Sequence, residues 1–237
     1  MASPSIAAAD VPVIAIDGPS ASGKGTVAAL VALELGFHYL DSGALYRLVT
    51  LAALDAGADL EDEAALAHTA AVMDVRFAPG HVLLSGRDVT EALRTEPVSA
   101  ATSRVAARPA VRQALLERQR AFRRAPGLVA DGRDMGSIVF PQAPLKVFLT
   151  ADVRTRAERR YKQLMEKGMY AKMSDVVEEL ERRDARDASR PVAPLRHYPD
   201  ALFLDTSALD VDQAVQRVLG WWRERSSRTG RDVPPKP

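Results

Sequence analysis

Val13-Ile14-Ala15-Ile16-Asp17-Gly18-Pro19-Ser20-Ala21-Ser22-Gly23-Lys24-Gly25-Thr26 is the stretch on which the fold turns. Its first four residues are apolar at every position, the pattern of a parallel strand buried on both faces. Gly18 to Lys24 then fits G-x-x-x-x-G-K. The spacing of Val27, Leu30, Val31 and Leu35 predicts a helix from Gly25 to Leu35, stopped by Gly36. Strand, glycine-rich turn and helix in that order predict a phosphate-binding loop. Backbone N–H groups and the positive helix end would meet phosphate oxygens, and Lys24 would supply a mobile ammonium. The plain alternative is a glycine-rich turn without a ligand; the strand before it and the helix after it weigh against that.

The expected cradle for a nucleotide triphosphate therefore comprises Gly18, Pro19, Ser20, Ala21, Ser22, Gly23, Lys24, Gly25 and Thr26. One position is irregular. The full motif carries Ser or Thr directly after the lysine, whereas here Gly25 stands there and Thr26 follows. Mg²⁺ is accordingly expected to be held mainly by phosphates and water, and no side chain is assigned to a protein metal site.

Further apolar runs at Leu128-Val129-Ala130, Val147-Phe148-Leu149 and Leu202-Phe203-Leu204, with Phe37 to Leu40 as a weaker one, predict more strands. Helical stretches separate them: Ala44 to Ala56, Pro109 to Arg123, one beginning at Ser174, and Val211 to Trp222. The expectation is an α/β three-layer fold around a five-stranded parallel sheet. Val75 to Thr90, with a turn signal at Pro79-Gly80, reads instead as a small antiparallel hairpin or meander. An insert of about 69–108 is expected there, in a single domain of 12–223 whose core is about 12–68 and 109–223. The tails 1–11 and 224–237 are polar and expected to be flexible.

Composition narrows the function. Hydrophobic residues make up 47% and charged residues 27% of the chain, ordinary for a globular protein. There is no cysteine, which excludes disulfides, a thiol nucleophile and cysteine-based zinc sites. Lys and Arg number 32 against 31 Asp and Glu, so the net charge of +1 argues against a nucleic-acid partner and for small anionic ligands. The N-terminal stretch has no leader pattern and no run reads as a membrane span, so a cytoplasmic location without membrane contact is expected. The scattered His38, His68, His81 and His197 form no metal-ligand spacing, and Trp221-Trp222 reads as packing for the last helix.

Phosphoryl transfer also needs positive charge away from the phosphate loop. Asp41-Ser42-Gly43-Ala44-Leu45-Tyr46-Arg47 opens a helix that Ser42 can cap, with Arg47 about a turn inside; a capped surface helix is the bland reading. Asp131-Gly132-Arg133-Asp134-Met135-Gly136 follows a strand, where ligands bind in such folds. Val176, Leu180, Arg183, Asp187 and Arg190 share one helical stripe that starts apolar and ends charged. That predicts a polar cavity at its far end, against a solvated end with Asp–Arg pairs. Arg154-Thr155-Arg156-Ala157-Glu158-Arg159-Arg160 could form a mobile cover over about 154–172, or a basic solvated helix.

These residues resemble the bacterial cytidylate kinases, from about Pro12 to Arg223. The motifs concerned are Ile16-Asp17-Gly18-Pro19-Ser20 with Gly23-Lys24-Gly25-Thr26, Leu40 to Arg47, Ala130 to Gly136, and Arg183-Asp184-Ala185-Arg186-Asp187 with Arg190 to Leu195. The resemblance implies ATP-dependent phosphorylation of CMP and dCMP, with Mg²⁺, on the nucleoside monophosphate kinase fold with an enlarged acceptor-binding insert and a helical lid. It implies that Ser103, Arg112 and Asp134 read cytosine and that Asp187 with Arg183 holds the sugar. Ser42, Arg47, Arg133 and Arg190 would hold or bridge the acceptor phosphate beside Tyr46, with Arg159 and Arg160 in the lid. Lys24, Arg133, Arg190, Arg159 and Arg160 would then serve the transfer, and a monomer is expected. The rival readings are a kinase for another small acceptor and a slow nucleotide switch, although no Asn-Lys-x-Asp guanine motif is present.

Overall fold

A computed structural model of the chain describes residues 11–78, 81–166, 168–190 and 192–229. The hydrogen-bonded core is a five-stranded sheet of β1 (Val13–Asp17), β2 (His38–Asp41), β6 (Leu128–Gly132), β7 (Leu145–Thr150) and β8 (Leu202–Asp205), in the order β2-β6-β1-β7-β8. It is the parallel sheet of the expected α/β class; β1 pairs in parallel with β6 and β7, and β7 with β8. The strand apolar at every position is the central one, and Val13 to Ile16 are fully buried. Strand β2, at the edge, buries only Leu40 fully, because an edge strand gives up part of its surface to water.

Helices α1 (Lys24–Leu35) and α8 (Val211–Thr229) pack together and close one core. Ile14, Ile16, Val27, Val31, Val147, Leu149, Val218 and Trp222 meet there. Trp222 sits edge-on to Phe37 at 5.8 Å, a packing role as expected. Helix α8 continues to Thr229, beyond the Trp222 at which the sequence reading ends it. Its polar last turns carry no apolar stripe to read, yet Ser226 is buried and Arg225 donates to the Pro144 carbonyl at 2.7 Å. Residues 1–10 and 230–237 lie outside the described residues.

Gly18 shows why this strand must be followed by glycine. A Cβ there would stand 1.9 Å from the Leu149 carbonyl oxygen, so the chain can pass β7 only without a side chain. α6 (Val153–Glu166) and α7 (Met173–Ala188) form a helical hairpin with its own small core of Ala157, Leu164, Val176 and Leu180.

Residues 41–121 form a second compact unit. It holds α2 (Ser42–Asp55), α3 (Glu63–Val72), the strands β3 (Val75–Ala78), β4 (His81–Leu84) and β5 (Arg87–Asp88), then α4 (Glu96–Val105) and α5 (Pro109–Arg120). The three strands make the expected small antiparallel sheet, ordered β3-β4-β5. The turn read at Pro79-Gly80 falls outside the described residues. Helices α3 and α4 are additions to the sequence reading. Pro97 lies in the first turn of α4, where its missing N–H costs nothing.

Candidate active site

The P-loop is shaped by left-handed backbone at Gly23 (φ 91°) and, unusually for a residue with a Cβ, at Ala21 (φ 58°). Gly23 caps α1, whose first residue is Lys24, so the helix begins at the lysine, directly after the loop. Lys24 Nζ reaches the Pro19 carbonyl at 3.4 Å, and Ser22 Oγ donates to that carbonyl at 3.0 Å.

Arginines meet this loop from other elements. Arg133, just after β6, donates from Nη2 to Ser20 Oγ at 2.8 Å and from Nε to Asp187 Oδ2 at 2.8 Å. Asp187 at the end of α7 also pairs with Arg190, and its side chain is 1% exposed. The stripe read from the sequence is thus buried at Val176, Leu180, Asp187 and Arg190, with Arg183 half-buried, so its charged end is not a solvated helix end. Burial alone would raise the Asp187 carboxyl, but the charges of Arg133 and Arg190 outweigh it and hold the group below its usual value.

From α6, Arg159 Nη1 donates to the Ser22 carbonyl at 3.0 Å and Nη2 to the Thr206 carbonyl at 2.7 Å. Arg160 is half-buried on the same helix. A cavity of about 470 Å³ opens beside the loop, bounded by Ala21, Thr26, Arg159, Gln163 and Val211. Its size suits a nucleoside.

In the second unit, Arg112 is buried on α5, donates to the Ala106 carbonyl at 3.2 Å and lies 5.9 Å from the centre of the Tyr46 ring. Ser103 is buried on α4 and Ser42 at the start of α2. Ser42 is not the helix cap. Asp41 takes that place, its Oδ1 accepting the Ala44 N–H at 3.0 Å while Oδ2 pairs with Arg47. A charged carboxylate at the cap gains from the positive helix end as a hydroxyl cannot, and Asp41 also fixes Arg47.

Similarity to known proteins then decides the family. The cytidylate kinase family model matches residues 14–224. A cytidylate kinase from Chromobacterium violaceum is 58% identical over 92% of this chain and 98% of its own. Those from Bordetella bronchiseptica and Cupriavidus necator are each 58% identical, over 92% and 90% of this chain and 98% and 96% of theirs. The chain belongs to the cytidylate kinase family.

Within this cytidylate kinase the irregular Gly25 has a local cause. A Cβ at Gly25 would lie 3.0 Å from Asp131 Oδ2 and 3.5 Å from the Tyr39 hydroxyl. The buried Asp131 carboxylate thus occupies the space that a Ser or Thr side chain would fill. Restoring the full motif with Gly25→Ser is therefore expected to harm the enzyme, lowering kcat/KM for ATP by about 10-fold, as crowding of about 1–3 kcal/mol implies. Steady-state kinetics checks this; unchanged or improved ATP use would overturn the explanation.

Three residues at the loop had no role of their own in the sequence reading, although Arg156 lies in the basic cluster and Asp17 in the strand motif named there. Arg156 is buried, donating from Nη1 to the Ser20 carbonyl at 3.3 Å and pairing with Asp184 at 2.6 Å. Thr206, after β8, has its hydroxyl 3.1 Å from the Ser22 carbonyl. Its place at the carboxyl end of a parallel strand was the available signal. The third is Asp17, whose carboxyl burial pushes up to about 6, with Asp134 adding to the rise and the N–H groups of Gly136 and Met135 opposing it.

Proposed function

We propose that the chain transfers the γ-phosphoryl group of ATP to CMP and dCMP in line, giving the diphosphates. It is a nucleoside monophosphate kinase by family, and ATP is the phosphoryl donor. What supports the reading most is the Arg133–Asp187–Arg190 group, buried at Asp187 and Arg190 and tied to Ser20 of the P-loop, because it sets paired guanidinium groups beside a triphosphate cradle. Charge growing on the equatorial oxygens needs such donors fixed in advance. The acceptor phosphate is already a nucleophile, so no general base is required.

The donor triphosphate is assigned to Gly18 through Thr26, with its nucleoside in the cavity bounded by Gln163 and Val211. Lys24, Arg133, Arg190, Arg159 and Arg160 serve the transfer. Ser103, Arg112 and Asp134 are assigned to cytosine, whose amino group and acceptor atoms suit a carboxylate and an arginine. Asp187 with Arg183 is assigned to the sugar, and Ser42, Tyr46, Arg47, Arg133 and Arg190 to the acceptor phosphate. In chain terms 12–223 is one kinase domain, with an acceptor insert of about 69–108 and the α6–α7 hairpin containing a lid of about 154–172.

Residues of the right kind are present for Mg²⁺. The Asp131 carboxylate flanks Gly25, one residue before Thr26, so an acidic oxygen lies next to the phosphate cradle. Asp131 and Thr26 would hold the ion together with phosphate oxygens and water; Mg²⁺ supplies charge neutralisation at the β- and γ-phosphates. The near-neutral charge supports a protein that binds no nucleic acid. Among the described residues no helix is long and apolar enough to cross a membrane. A monomer in the cytoplasm completes the proposal.

The test is a coupled assay with ATP and Mg²⁺ and a panel of CMP, dCMP, UMP and AMP as acceptors. CMP and dCMP are expected to lead. Preference for AMP, or ATP turnover without acceptor as fast as with CMP, would refute the assignment.

A further inference from the structure

Asp17 ends β1, one residue before the P-loop, and both of its carboxylate oxygens are engaged. Oδ1 accepts the Met135 N–H at 2.8 Å and Oδ2 the Gly136 N–H at 2.8 Å. Those N–H groups open the π-helical turn Met135–Val139, whose own bonds start later, from the N–H groups of Ile138 and Val139 to the Asp134 carbonyl. Asp17 therefore satisfies donors that the turn itself leaves over.

The position of this clamp matters more than its presence. Gly132, in β6, pairs in register with Asp17 itself. Arg133 and Asp134 are thus the short span between a residue fixed by the sheet and a residue fixed by the clamp. There is little slack at Gly136 either. A Cβ there would lie 3.2 Å from Lys146 Cγ and Cδ and 3.4 Å from Asp17 Oδ2.

We propose that Asp17 is a positioning residue for the acceptor side of the reaction, its two-oxygen clamp on Met135 and Gly136 setting where Arg133 and Asp134 point. This rests on the acceptor roles proposed above for those two residues. A purely structural strand end would not need a carboxylate here. Burial of this one raises its proton affinity, a cost that an uncharged residue would avoid.

Asp17→Asn tests the idea at nearly constant shape. An amide has one accepting oxygen, so it can meet only one of the two N–H groups and turns its own hydrogens toward the other. We expect kcat/KM for CMP to fall roughly 10- to 100-fold, as for reacting groups displaced by about an ångström. The dissociation constant for ATP, measured by direct titration, is expected to stay within about twofold, since the Asp17 carboxylate bonds to Met135 and Gly136 and not to the phosphate loop itself. Gly136→Ala crowds the Lys146 side chain at 3.2 Å, which displaces the Gly136 end of the same clamp, and it is expected to give the same split. In the double variant the two effects should be less than additive.

Thermal melting establishes that each variant is folded at the assay temperature, and if Asp17→Asn is not, Gly136→Ala decides by the same split. A folded variant with unchanged CMP kinetics would overturn the proposal. So would equal losses in ATP binding and CMP use, or full additivity. Wild-type protein in the same assay separates the two levels of the argument: no turnover of CMP sinks the assigned reaction, whereas normal turnover with no split in the variants sinks the positioning role alone.

Discussion

Lys24→Ala is expected to lower kcat for CMP phosphorylation by about 10²–10³-fold, the size of loss found when one preorganised donor to a developing charge is removed. The lysine is the first residue of α1, directly after the P-loop. Its Nζ makes a long 3.4 Å contact to the Pro19 carbonyl. Alanine is the best helix former, so truncation keeps the helix start and should move the melting temperature little. A coupled assay at saturating CMP, paired with a melting curve, checks both halves. Activity within tenfold of wild type would show that the ammonium is not needed in the transition state.

Asp187 carries the second large effect, and it acts on two quantities. Removing its carboxylate in Asp187→Ala leaves Arg133 and Arg190 facing each other in a buried place, a loss of about 3–5 kcal/mol for a broken buried ion pair. For a chain of this size that corresponds to a fall in Tm of about 2–4 °C for each kcal/mol. Asp187→Asn keeps the shape and isolates function. There kcat/KM for CMP is expected to drop about 10²-fold, with ATP affinity changed far less. Equal losses on both substrates would remove Asp187 from the acceptor side. The sign with pH follows from the depressed carboxyl. Its stabilising contribution is complete above the usual carboxylate value of about 3.9 and is lost as pH falls through the lower folded value. Wild-type protein should therefore lose more stability in that acid range than Asp187→Asn does.

What the sequence reveals, and what it hides, depends on whether the partner of a residue is local. The central strand is legible because Val13 to Ile16 are all buried and all apolar. Asp187 is legible because helical spacing places it on the stripe of Val176 and Leu180. Helices α3 and α4 escape for a related reason. The buried residues of α3 are only Leu66 and Ala70, and the buried face of α4 mixes Thr102 and Ser103 with Val98 and Val105, so neither presents a purely apolar stripe. The places of Arg156 and Thr206 at the loop are hidden because their partners are carbonyls of Ser20 and Ser22, far away in the chain, and a carbonyl belongs to every residue type. Gly25 looks irregular until Asp131 is seen beside it.

Arg156 also has a mechanical meaning. Near the base of α6 its guanidinium is held at once by the carbonyls of Ala151 and Ser20 and by the carboxylate of Asp184 on α7. The α6–α7 hairpin is joined along its length by Ala157, Leu164, Val176 and Leu180, so it is a stiff arm rather than two loose helices. A stiff arm pinned at one end is a lever with a fixed fulcrum. Any swing is smallest at Arg159 and Arg160, within a helical turn of the pin, and largest toward the exposed Tyr170 at the tip. Arg159 and Arg160, the two residues of this arm proposed above to serve the transfer, are thus among those such a swing displaces least.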